Sequence, residues 1–178
     1  MAPPLQDFIL MGRLSIILAI CGATTLALWP VNDTSLSYIW NASESVPIGL
    51  YRLQETARLH VTELVAVRPP EPLASFLDFN GYLPSGLPML KRVLALPGQT
   101  VCRTGLTIVV DGIEMGQARE RDRRGRPLPA WQGCRVVAED EVFLMNWQSP
   151  ESFDGRYFGP LPTSAVIGQA VPVWTRGD

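Results

Sequence analysis

In NASESVPIGLY, Asn41 to Tyr51, two serines, a proline and a glycine are crowded together just ahead of a strand-like run. Proline and glycine punctuate secondary structure, so PIGLYRL reads as a turn entering a strand. The same grammar continues downstream. HVTELVAV, His60 to Val67, holds a strand that stops before Arg68, Pro69 and Pro70, and EPLASFLDFNGYLPSGLP reads as a Pro/Gly-punctuated loop. Met89 to Leu96, MLKRVLAL, is a strand halted by Pro97 and Gly98. In LTIVVDGIEM, Asp111-Gly112 sits between β-branched residues and predicts a type I′ hairpin, whose two central positions need positive φ. Further strands are expected at CRVVA, EVFLMNW and AVIGQAVPVW, so the fold class is mainly β.

Upstream of this region the composition changes. Phe8 to Trp29 carries Arg13 as its one charge and is long enough to cross a bilayer of about 30 Å as a helix, with Trp29 at the interface. A cleaved signal peptide is the competing reading, because Ala23, Thr25 and Ala27 are small residues near its end. The anchor is preferred because the run is long for a signal peptide. Residues 1–30 are thus read as a membrane anchor contacting lipid, and 31–178 as one β-rich domain. Arg13, with the positive-inside rule, places the N-terminus inside and the domain outside. The VNDTSLSYIW stretch between them reads as a connector.

Composition excludes several functions. A net charge of -2 argues against a nucleic-acid partner. The arginine-rich run Ala118 to Trp131, ARERDRRGRPLPAW, alternates acids with arginines and reads as a solvated loop. With 3 cysteines and 1 histidine no metal site is expected, and no cofactor is implied. Cys21 belongs to the apolar run, which leaves Cys102 and Cys134 to form a disulfide in an oxidising compartment. Their bridge would close the arginine-rich loop.

The chemistry turns on which side chain could activate a serine. His60 lies in a strand-like run without a distinctive acid pattern and reads as a routine strand histidine. Lysine serves instead only if it is neutral, which requires burial among apolar groups away from a carboxylate. Lys91 is the one lysine among 15 basic residues, and arginine cannot act as a base near neutral pH. Strand alternation puts Lys91 on one side with Met89, Val93 and Ala95, and Arg92 on the other.

Three segments, SESVPIG at Ser43 to Gly49, LKRVLALPG at Leu90 to Gly98 and SFDGRYFGP at Ser152 to Pro160, resemble in order the sequence boxes of the type I signal peptidases of the serine/lysine class. The NxSxSxPxGLY start, the paired cysteines and the GRPLPxW stretch are most similar to the TraF maturation peptidases of plasmid conjugation. The resemblance implies Ser45 as nucleophile, Lys91 as general base and Ser43 as an oxyanion-hole hydroxyl. It further implies Ser152 as the hydroxyl steering the lysine amine, and Asp154 as a bracing acid whose ion-pair partner is Arg156. Both serines fit a loose pattern, and Ser45 is preferred because it directly precedes Val46-Pro47. Gln99 and Ala95 depart from the wider family, which carries an acid and a glycine there. The implied protein is a single-pass peptidase of the bacterial inner membrane with its catalytic domain in the periplasm. Its substrate would be a conjugative pilin precursor, hydrolysed or cyclised, and other conjugation-channel proteins would be its neighbours. Two alternatives stand beside it: a general signal peptidase, and a non-catalytic anchored assembly factor.

Overall fold

The computed structural model describes residues 38–176, and the anchor expected at Phe8 to Trp29 lies outside them. Among the described residues no helix is long and apolar enough to cross a membrane. The elements are β1 (Tyr38–Asn41), β2 (Gly49–Gln54), β3 (Leu64–Val67), α1 (Leu73–Phe79), β4 (Met89–Ala95), β5 (Thr100–Thr104), β6 (Thr107–Val110), β7 (Ile113–Gln117), β8 (Gly133–Val136), β9 (Glu141–Leu144), α2 (Gly155–Phe158), β10 (Leu161–Pro162) and β11 (Val166–Thr175). One sheet has the order β1-β2-β11-β3-β4-β9-β10 and the second β7-β6-β5-β8. The mainly β expectation is met.

β4 lies inside the larger sheet and feeds three apolar clusters. Met89 and Val93 join Val65, Val67, Val142 and Leu144. Leu90 packs with Val46, Tyr51 and Ala66. Leu94 and Ala95 meet Val101, Ile108 and Val110 of the second sheet, so this cluster ties the two sheets together. A strand covered on both faces reads as a continuous apolar run rather than an alternation. Within β4 only Arg92 is not buried.

Several local readings change in three dimensions. Part of the supposed loop EPLASFLDFNGYLPSGLP is helix α1, because LASFLDF itself has no breaker, with Pro72 ahead of its first turn and Pro84 and Pro88 beyond its end. The connector ends in a strand, β1, which pairs with β2 so that Asn41 faces Gly49 and the serine stretch becomes their hairpin loop. His60 is exposed in a turn ahead of β3, not within a strand. The Asp111-Gly112 hairpin forms as expected, with φ of 48° and 83°. Cys102 and Cys134 are opposite one another on β5 and β8 and are bonded, closing a segment with a sequence separation of 32.

Gly49 carries a specific steric demand. A Cβ built there would lie 2.1 Å from the Trp174 carbonyl oxygen and 2.8 Å from the Thr175 Cα. Backbone of β11 cannot retreat as a flexible side chain would. Gly49→Ala is therefore expected to destabilise the domain by about 3 kcal/mol, the upper end of ordinary overpacking, measured by denaturant unfolding against wild type.

Candidate active site

The serine loop is folded around one buried carboxamide. Asn41 Nδ2 donates to the carbonyls of Ser43 (2.8 Å), Val46 (3.1 Å) and Pro47 (3.1 Å), while its Oδ1 accepts from Ser43 N–H. The Tyr51 hydroxyl donates to the Pro47 carbonyl at 2.6 Å. Local donors of this kind satisfy backbone groups that no sheet ladder reaches. Within the loop the Ser43 and Ser45 hydroxyls are 2.7 Å apart, and Ser45 N–H donates to Ser43 Oγ at 3.3 Å.

Lys91 enters from β4. Its Nζ donates to Ser152 Oγ at 3.0 Å, in an environment where both residues are buried. Burial holds the amine below its ordinary value of 10.5, at about 8; Asp154 pulls it up and Arg156 pushes it down. Asp154 is not in direct contact with the amine because its carboxylate is fully used elsewhere. Oδ1 accepts from Arg156 N–H and Nε–H, and Oδ2 from Arg156 Nη2–H and Asn146 N–H. Arg156 also donates to the Ser149 and Ser152 carbonyls, tying the loop that presents Ser152 to the ion pair.

Ser43, Ser45, Lys91 and Ser152 line one cleft of about 630 Å³. Each sequence-derived site residue of the resemblance thus falls at this cleft or, for Asp154 and Arg156, directly behind it. Among the described residues Ser45 Oγ is bonded to Ser43 rather than to Lys91. The strand-parity argument reached Lys91, but burial of β4 on both faces is the stronger cause. The arginine-rich run is not simply solvated: Arg119 and Arg123 pair with Glu151, and Arg123 and Glu151 line the cleft. Two residues escaped sequence reading. Asn41 and Asn146 are buried amides, and only the placement of Asn41 just before the serine turn hinted at a role.

The model for signal peptidases of the peptidase S26 family matches residues 10–175. The chain belongs to this family. It is 37% identical over 170 residues to a conjugal transfer protein TraF of Agrobacterium fabrum, covering 89% of this chain and 90% of that protein. A plasmid transfer protein TraF of Escherichia coli is 36% identical, covering 76% of this chain and 81% of its own. A solved signal peptidase I of Enterococcus faecalis superposes with a TM-score of 0.41 at 21% identity, over 65% of this chain and 98% of that one. S26 signal peptidases are serine peptidases, so a protein substrate follows from family membership.

Burying an amine in this S26 domain costs stability while it is charged. The folded state depresses the Lys91 pKa to about 8 from 10.5, so the unfolded chain binds the proton more tightly between these values and stability rises with pH across that window. Lys91→Met removes the cost. Thermal unfolding should show Lys91→Met more stable than wild type below pH 8, with the margin shrinking toward pH 10.5.

Proposed function

We propose that the chain is a membrane-anchored serine endopeptidase that uses a Ser45/Lys91 dyad to process a pilin precursor in plasmid conjugal transfer. The observation that carries the chemistry is the Lys91 amine: buried, its pKa lowered to about 8, bonded to Ser152 and lacking a direct counter-ion, in the cleft that also holds both serines. The names of the TraF relatives support the conjugative role. The apolar run Phe8 to Trp29 supports an inner-membrane anchor, and the Cys102–Cys134 bridge supports an oxidising, periplasmic location for the domain.

In this reading, neutral Lys91 removes the Ser45 hydroxyl proton as Ser45 Oγ attacks the scissile carbonyl. The hydrogen bond between them forms with substrate bound, a tightening common in active sites. The developing oxyanion takes the Ser45 N–H and the Ser43 hydroxyl; in the free protein that N–H donates to Ser43 Oγ, which is also hydrogen-bonded with the Ser45 hydroxyl. Lys91 then returns the proton to the departing amine. Water, or an amine of the pilin in a cyclising reaction, attacks the acyl-enzyme with Lys91 again as base; the ester bond to Ser45 Oγ breaks and Lys91 returns the proton to that oxygen. Ser152 orients the amine throughout, and Asp154 with Arg156 braces Ser152 while Asp154 stays out of direct contact with Lys91.

Cleavage of a candidate pilin precursor by the purified protein, followed by intact mass, tests the assignment and separates hydrolysis from cyclisation by one water. Ser45→Ala should abolish cleavage, and Ser43→Ala should reduce it about 10²–10³-fold through loss of one oxyanion donor. A dead Ser43→Ala with an active Ser45→Ala reverses the two serines. Activity should rise with pH through about 8 as Lys91 loses its proton, and Lys91→Arg should be inactive. A broad set of exported preproteins cleaved as readily as the pilin precursor would favour a general signal peptidase instead.

A further inference from the structure

Beside Lys91 the sheet changes character. β4 pairs with β3 along Met89–Arg92, with Val65 opposite Lys91, but pairs with β9 only around Val93 and Ala95. The Met145 N–H still donates to the Arg92 carbonyl at 2.9 Å, and from Asn146 onward the backbone leaves the ladder toward the loop that carries Ser152 and Asp154. The Leu90 carbonyl and the Arg92 N–H would then be left without a strand partner, and a buried polar group with no partner carries its full desolvation cost.

The Asn146 side chain takes the place of the missing strand. Its Oδ1 accepts from Arg92 N–H at 2.9 Å, and its Nδ2 donates to the Leu90 carbonyl at 3.1 Å. These are the residues on either side of Lys91. The backbone of Asn146 faces the other way: its N–H donates to Asp154 Oδ2 at 3.1 Å, and its carbonyl accepts from Ser149 N–H at 2.9 Å. All the polar groups of one buried residue are thus spent between the strand that carries the amine and the loop that carries its hydroxyl partner and acid. No second side chain makes both connections among the described residues.

We infer that Asn146 is a positioning residue for the general base, fixing the Lys91 segment of β4 against the Ser152–Asp154 loop so that the amine meets Ser152 and not the carboxylate. The inference rests on the Ser45/Lys91 reading. Through its own N–H, Asn146 occupies the Asp154 oxygen not bound by the Arg156 Nε–H, and its carboxamide bonds the strand edge without adding a charge there. Charged groups facing the amine are Asp154 and Arg156. Glu44, Arg123 and Glu151 line the same cleft. β3 presents Val65 opposite Lys91, and β9 contributes apolar Val142 and Leu144.

The test uses the full chain in detergent micelles, with Asn146→Ala, the nearly isosteric Asn146→Asp and Lys91→Arg beside wild type. Because Lys91 is the only lysine in the sequence, lysine labelled with ¹³C gives one side-chain resonance whose titration is read directly. Turnover of a cleavable peptide is followed across the same pH range. Asn146→Ala should lower kcat about 10²-fold with KM changed only a few-fold, the loss typical of a misplaced reacting group. In both Asn146 variants the titration and the rising limb of activity should move together to higher pH: in Ala because water reaches the amine, in Asp because a carboxylate stabilises the ammonium. A wild-type lysine titrating near 10.5, or an active Lys91→Arg, would overturn the dyad itself. With the dyad intact, Asn146 variants whose titration and kcat match wild type overturn the positioning role, even if they melt earlier. Failure of both variants to fold would overturn it too, leaving Asn146 a residue of stability alone.

Discussion

An ammonium group is costly to bury, and the domain is arranged so that Lys91 is buried without a carboxylate in contact with it. That requires a strand covered on both faces, which β4 provides by feeding three apolar clusters. It also requires that the nearby acid be satisfied by something else. Arg156 and the Asn146 N–H take up both oxygens of Asp154, and the strong, fully buried ion pair stays internal to one short segment. A pair of this kind adds little net stability against an apolar replacement, yet removing one partner leaves a charge stranded, so it acts as a brace rather than as a source of stability.

The parts around this centre serve to hold two loops. The serine loop is drawn together by Asn41 and by Tyr51, and the close approach of β11 to Gly49 fixes its downstream end. The Ser152 loop is held from outside by aromatic packing. Phe153 stacks on Tyr157 at 5.0 Å, on Tyr82 at 5.2 Å and on Phe76 of α1 at 5.7 Å. The arginine-rich segment, closed at its base by the disulfide, adds its pairs to Glu151. These last pairs are partly exposed and contribute modestly to stability, but they make the segment one wall of the cleft.

In this S26-family domain, rigid strands deliver the buried amine and two short loops deliver the hydroxyls of the cleft. Catalytic groups on loops gain precision only when other side chains restrain those loops. The buried amides supply that restraint here, since a carboxamide can donate and accept at once without adding charge beside the lysine. The serine hydroxyls, by contrast, remain at the open side of the cleft.

Strands and turns with local causes were legible from residue identity. Asp111-Gly112 had to turn because both positions take positive φ, and the Pro/Gly stops around MLKRVLAL bounded β4. Lys91, as the single lysine, and the ordered boxes around Ser45, Lys91 and Asp154 pointed to the site through residue identity. Helix α1 was hidden because its flanking prolines and glycine outweighed a short stretch, LASFLDF, that packs Leu77 inward. The roles of Asn41 and Asn146 were hidden for a different reason. An asparagine looks like a turn residue in sequence, and only the tertiary arrangement decides that Asn146 must complete a ladder where β9 departs from β4. Hydrogen bonding between residues more than fifty positions apart leaves no local pattern, so those contacts belong to the fold alone.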